Sequence, residues 1–322
     1  MTGPVPVSLP TLLVALLPAL LRAQEPQPQG TANPATEATA TAPAEGTATP
    51  ASPTARPHAD LEALAGRVQA AHHPKGPVAP VQAFTGSLEL HLVDADAEQR
   101  GQVDLDVRFL EWMDPRIKRV RPLLRYQVVQ AGKPIVRGRD RFGPWQLIQG
   151  KPKDLNDQLA RDLEECERHT NLARQLLKLL APGDVLRALQ RPSAVASEPL
   201  NVERGVRIEC ETVEGDLQAF PLLQQGGEDA PTHLKVYVAK ETGRLIAVDA
   251  WPTKDGKIDP TQGERMLLLD LHERDGVLVP RELKHLFRNE TGKLRLKTRA
   301  VLNNLSLRPK LGVDDFDRPP TK

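Results

Sequence analysis

Large soft side chains are scarce in this chain. Its 322 residues include only six Phe, three Trp, two Tyr and three Met. Such residues usually supply most of the contact area of an apolar pocket, so few candidates exist to line one. Cysteine is nearly absent: two residues exclude a disulfide-dense scaffold, and no C-x-x-C or Cys/His cluster has zinc-ligand spacing. No charge of one sign dominates, because 43 Lys and Arg face 42 Asp and Glu. That balance excludes a whole-chain drive toward nucleic acid. Long apolar runs are missing too. Residues 9–21, LPTLLVALLPALL, make the one extended run, and a bilayer-spanning helix needs roughly 20 apolar residues.

Proline is what the chain has in excess, with 30 residues, 14 of them within 1–80. All the rings lie at or beyond Phe84, so two different polymers are joined end to end. The run at 9–21 followed by Ala23 fits a secretory signal peptide over 1–23. Residues 24–57 hold nine Ala, seven Thr and seven Pro and no Val, Ile, Leu, Met, Cys or ring. A stretch of that composition cannot bury enough apolar surface to offset its chain entropy, so it reads as a disordered spacer. Export to the periplasm or the extracellular space follows, with peripheral rather than integral membrane association.

Residues 58–322 then suit one large domain. Asp60 can cap a first helix through LEALAGRVQAAHH, whose Leu61, Leu64 and Val68 recur at helical spacing. From Val81 the apolar period becomes two, as in Leu88, Leu90 and Leu92 or Val103, Leu105, Val107 and Phe109. Alternation of this kind marks antiparallel strands with one wet face. Further strands read over 117–130, 134–141 and 144–150. A helix with Asp154 as its cap follows, carrying Leu159, Leu163, Cys166, Leu177 and Leu180 on one stripe, and a short helix begins at Pro182-Gly183-Asp184. Strands resume at 206–213, 234–238, 245–251, 266–274, 277–280 and 293–301. Thr242-Gly243 and Asp275-Gly276 stand as hairpin turns between pairs of them. The expected fold is α+β: one strongly curved antiparallel sheet, a half-barrel, with helices packed on its concave face.

Chemistry is hard to find. His272-Glu273 begins like H-E-x-x-H, but residue 276 is Gly, and no G-x-S-x-G elbow or phosphate-cradling glycine loop occurs. The pairs Asp104/Asp106 and Glu209/Glu211 read as solvated strand faces. Arg137, Arg139 and Arg141, like Lys293, Arg295, Lys297 and Arg299, recur every second residue. They read as cross-strand ion pairs on the convex surface or as a basic patch for anionic headgroups. Cys166 and Cys210 are either a disulfide joining a helix to the sheet or two buried thiols. No enzyme, cofactor or metal is indicated.

The order of elements and the local text, VYVAKETGRLIAVDAWP, GERMLLLDLHERDGVLVPRELKHLF and LKTRAVLNNLSLRPKLGVDDFDRP, resemble the periplasmic outer-membrane lipoprotein carrier (LolA/LolB-like) superfamily. The shared features are Thr242-Gly243, Asp275-Gly276 before Pro280, Asn303 or Asn304, a late Phe316, and an Asp140…Trp145 hairpin. The resemblance implies an incomplete barrel with a helical lid over an apolar cavity that holds acyl chains. It also implies an arginine after a Pro-containing turn fastening the lid, carried here to Arg119 in DPRIKRVR. The lining candidates are Phe109, Trp145, Trp251 and Met266 from the sheet, with Leu177 and Leu180 from the helix. The expected function is an exported cell-envelope module binding a lipid or other apolar ligand, in lipid or lipoprotein sorting. The alternative is a ligand-free structural or interaction domain with an envelope protein partner.

Overall fold

The computed structural model describes residues 55–93, 99–130, 133–203, 205–218, 220–223, 231–254, 257–289 and 291–320. The expected signal peptide and nearly all of the spacer lie outside them. Helix α1 (Ala55–His72) comes first. Six strands follow: β1 (Ala83–Val93), β2 (Gln99–Asp114), β3 (Arg119–Gln130), β4 (Lys133–Asp140), β5 (Gly143–Ile148) and β6 (Lys151–Asp154). Helices α2 (Ala160–Leu179) and α3 (Pro182–Arg187) lead to β7 (Ala196–Glu203), β8 (Val206–Leu217), β9 (Thr232–Ala239) and β10 (Leu245–Lys254). The series ends with β11 (Lys257–Ile258), β12 (Glu264–Arg274), β13 (Val277–Arg288) and β14 (Leu294–Ser306).

These strands form one open antiparallel sheet in the order β6-β5-β4-β3-β2-β1-β14-β13-β12-β10-β9-β8-β7, with β11 paired to β10. The chain thus walks from the middle to one edge, crosses a face as residues 155–195, and restarts at the other edge. Register shifts interrupt β1 near Thr85, β10 near Leu245 and β13 near His285. Such bulges add local twist and curvature. Asp275 and Gly276, with φ of 53° and 80°, make the β12–β13 turn. Two left-handed central residues match the twist of a two-residue hairpin.

Alternation places Leu88, Val107, Leu124, Val236, Val248 and Leu283 on one face, where they pack with Leu64 of α1, Leu176 of α2 and Leu186 of α3. Each buried aliphatic side chain contributes roughly 1.5–3 kcal/mol. Three strands escaped the sequence reading: β6 (KPKD), β7 (ASEPLNVE) and β11. None has an apolar alternation, and Pro152 and Pro199 are tolerated because β6 and β7 are edges. Two expected caps are also displaced. Asp60 lies inside α1, which starts five residues earlier. The turn before α2 is capped by Asn156, whose side chain accepts from the Gln158 amide, while Asp154 belongs to β6 and pairs with Arg318.

Register decides which face each remaining residue takes. Arg137 and Arg139 point to α2, so Gly138 and its partner Trp145 take the other face. A Cβ at Gly138 would lie 2.6 Å from the Leu124 carbonyl and 2.9 Å from the Trp145 ring, so only glycine fits. Trp145 and Leu123 are nonetheless fully buried on that outer face. The C-terminal segment covers it: Arg318 pairs with Asp140 and Asp154, Arg141 with Asp317, and Arg125 donates to the Asp315 carbonyl. Phe316, at 0% exposure, sits between these ties. Trp251 also lies outside, with Asp249, Arg288 and Tyr237. Trp145 and Trp251 therefore do not line the space under the helices.

The cysteines are both free, and the sheet separates them. Cys166 is on the sheet-facing side of α2, its thiol 3.6 Å from the Gly138 carbonyl. Cys210 is in an outer cluster with Leu200, Tyr237, Ala247 and Leu267. A disulfide between opposite faces is excluded by geometry.

Replacing Phe316 by Ala is expected to destabilise the domain by about 3–5 kcal/mol in urea unfolding. An unchanged midpoint would show that the C-terminal segment is not part of the cooperative unit.

Candidate functional site

Two hairpins reach past the helix layer at one end of the sheet, and each turn is built on an aspartate. In the β2–β3 turn Asp114 Oδ1 accepts from the Arg116 amide at 2.9 Å, and the Lys118 amide donates to the Asp114 carbonyl at 2.8 Å. In the β4–β5 turn Asp140 Oδ1 accepts from the amides of Phe142 and Gly143 at 2.8 and 3.1 Å. Side-chain carboxylates closing their own turns leave the intervening side chains pointing outward. Among the described residues seven large apolar side chains are exposed, and four of them belong to this end: Met113 (56%), Ile117 (45%), Val120 (47%) and Phe142 (74%). Met113 and Val120 are register partners on the helix-bearing face.

A cleft of about 620 Å³ lies between these hairpins and the later turns of α2. Ile117, Val120 and Phe142 form its apolar wall, and Arg119, Arg121, Arg139, Arg174 and Lys178 bring five cations against Glu111 and Asp140. Three of the seven charged groups are committed elsewhere. Arg121 pairs with Asp114 at 3.4 Å, Arg139 with Glu167, and Asp140 with Arg318. Arg174 is buried and Lys178 half-buried, one helical turn apart, and neither has an ion pair or hydrogen bond among the described residues. Like charges at i and i+4 cost roughly 0.2–0.5 kcal/mol. Burial pulls the Lys178 ammonium below its ordinary pKa, and Arg174 adds to that while Glu111 opposes it.

The arginine expected to fasten the helix, Arg119, stands exposed at the start of β3, in register with Asp114 and on the wall of this cleft. Two guanidinium groups of β4 pair with acidic residues of α2. Arg137, at 4% exposure, binds Asp162 at 2.5 Å and Glu165 at 2.8 Å, and its Nε donates to Gln146 Oε1. Gln146 in turn donates to Asp162, and Arg139 pairs with Glu167. The alternating arginines are legible in the sequence, but both readings of Arg137 and Arg139 placed them on the surface. The acidic run Asp162, Glu164, Glu165 and Glu167 was the available signal for their partner.

Phe109, Leu177, Leu180 and Met266 lie buried in the core between sheet and helices. Beside Met266, Glu264 accepts from Gln175 Nε2 at 2.7 Å and from the Leu223 amide at 3.0 Å. Asn171 and Gln175 also donate to the carbonyls of Leu222 and Pro221, so α2, Glu264 and residues 220–223 form one polar knot. Burial pushes the Glu264 carboxyl up to about 7 despite these donors. Burial pushes three histidines down: His72, which accepts from the Leu245 amide, to about 4, and His169 and His285 to about 3.

Arg137→Ala should cost about 3 kcal/mol, because Asp162 and Glu165 lose their partner at the sheet. Hydrogen exchange of α2 should accelerate; unchanged protection would remove Arg137 as the fastening. For Glu264 the folded pKa is raised, so its stabilisation is complete below pH about 4.5 and fades as pH rises toward 7. Glu264→Gln should therefore match the parent near pH 4.5 and exceed it above pH 7, by about 3 kcal/mol. The lowered histidines act oppositely, losing stability as pH falls below 6.5. Parallel melting profiles for parent and variant would refute the role of Glu264.

No family model matches the chain, and no curated protein matches it. Among solved structures it is similar to a LolA superfamily protein from Nitrosomonas europaea, at 11% identity and a TM-score of 0.40, covering 80% of this chain and 98% of that one. It is also similar to MucB in its complex with MucA(peri), at 7% identity and a TM-score of 0.17, covering 76% of this chain and 94% of that one.

Proposed function

We propose that this chain is an exported cell-envelope module that binds an apolar, chain-bearing ligand, and that the open cleft between the hairpin tips and α2 is where the ligand is held. The observation that carries this reading is the gathering of Met113, Ile117, Val120 and Phe142 at one place. Solvent-exposed apolar side chains scattered singly need no explanation, but a contiguous group beside a concave site marks a binding surface. Ile117, Val120 and Phe142 on the cleft wall, with Met113 beside Val120, give an alkyl chain a surface to lie on without opening the core. Export is supported by the short apolar run at 9–21 and Ala23, and attachment at a distance by the Ala/Thr/Pro-rich spacer.

The full chain is expected to take up a fluorescent long-chain fatty acid, with the blue-shifted emission of an apolar environment. Val120→Asp and Phe142→Asp should each weaken uptake about ten-fold while leaving Tm within a few degrees, since surface substitutions usually change stability by less than about 0.5 kcal/mol. Absence of uptake, together with no apolar species extracted from protein purified from its own host, would overturn the reading in favour of a ligand-free interaction domain.

A further inference from the structure

We infer that the cleft selects for negative charge: Arg174 and Lys178 hold the phosphate-type headgroup of an anionic amphiphile whose alkyl chain lies on Ile117, Val120 and Phe142. This rests on the amphiphile reading above and names the chemistry of its polar end.

Three independent observations converge on it. Arg174 is more than nine-tenths buried, yet its guanidinium has no ion pair or hydrogen bond among the described residues. The stem of Arg174 is packed away while its guanidinium nitrogens keep contact with the solvent of the cleft, so the donors are held in place and offered to whatever enters. Elsewhere among the described residues Arg137, Arg265 and Arg318 each meet an aspartate, which Arg174 does not. Arg174 and Lys178 also face the same cavity one turn apart, so their fields add within it. A planar donor fork beside a compact ammonium fits the oxygens of a phosphate group. Finally, the carboxylates on the wall do not cancel this field. Asp140 is spent on Arg318 and on its own turn amides. Glu111 is left to oppose it, and Lys178 still has its ammonium destabilised by burial. A cationic or uncharged headgroup would leave Arg174 as it stands, without a partner.

Calorimetric titration of the full chain with n-dodecyl phosphate, n-dodecyl maltoside and inorganic phosphate, each below any micelle concentration, tests the inference. Dodecyl phosphate should bind about ten-fold more tightly than either of the others. Arg174→Gln and Lys178→Gln should each remove most of that preference without changing dodecyl maltoside binding. Glu111→Gln, which deletes the opposing charge at a half-exposed site, should tighten dodecyl phosphate a few-fold and keeps the test open if Arg174→Gln does not fold. Equal binding of the two dodecyl compounds, unaffected by these substitutions, would overturn the anion inference and leave the amphiphile reading standing. Inorganic phosphate binding as tightly as dodecyl phosphate would support an anion site and overturn the amphiphile reading. Binding of none of the three would overturn both.

Discussion

An open sheet whose two edges are consecutive in the chain must be bridged across a face, and everything else in this fold depends on that bridge. Strand β6 ends at one edge and β7 begins at the other, so residues 155–195 have no route except over the sheet. The inner face is apolar from β1 through β14, which makes the crossing favourable along most of its length. Near the β4–β5 edge the attraction changes in kind. There Arg137 and Arg139 meet Asp162, Glu165 and Glu167, and α2 is fastened by charge rather than by oil. Ion pairs at a half-wet edge add little net stability, but removing one partner leaves a buried guanidinium or an abandoned carboxylate. The arrangement fixes where α2 lies more than how firmly.

Position is what matters for the cleft. Once α2 is pinned near its start, its later turns fall beside the β2–β3 and β4–β5 hairpins, which reach beyond it. The strand alternation that buries Phe109 and Leu124 continues outward to Met113 and Val120, where no helix covers it. Apolar side chains laid down by one periodicity thus become core along most of a strand and surface at its tip. Arg174 lies between Asn171 and Gln175 on α2 and Lys178 one turn further on, and the side chains of Asn171 and Gln175 are tied to residues 220–223 and Glu264. The outer face shows a parallel economy, with the C-terminal segment from Gly312 onward closing over Leu123 and Trp145 where the sheet would otherwise expose them.

Much of this was legible from residues. Alternation located the long strands, Asp275-Gly276 located a hairpin, and the stripe from Leu163 to Leu180 located α2. The edge strands were not legible, since KPKD and ASEPLNVE carry no alternation and pair only because a neighbouring edge offers its backbone. The cysteines looked equivalent as candidates for bonding, although the sheet places them on opposite faces. Trp145 and Trp251 were drawn into the interior by their size. Register counts against size here: each follows its neighbours' parity to the outer face, one beneath the C-terminal segment and one against Arg288. Of the cleft, Arg119 was singled out, but for fastening a helix. Arg174 and Lys178 were invisible as a site, being two cations among many on an amphipathic helix.

The sequence by itself determined the fold class of this protein: alternating strands of an antiparallel sheet interrupted by helices. Periodicity is a local property, and three to ten residues suffice to express it. Only the tertiary structure decided which arginines fasten α2, which rings face out, and that two cations on α2 meet exposed apolar hairpins across one cleft. Those outcomes depend on which strand lies beside which, and on where a helix stops covering a face. They are set by pairings between residues far apart in the chain, which no local pattern encodes.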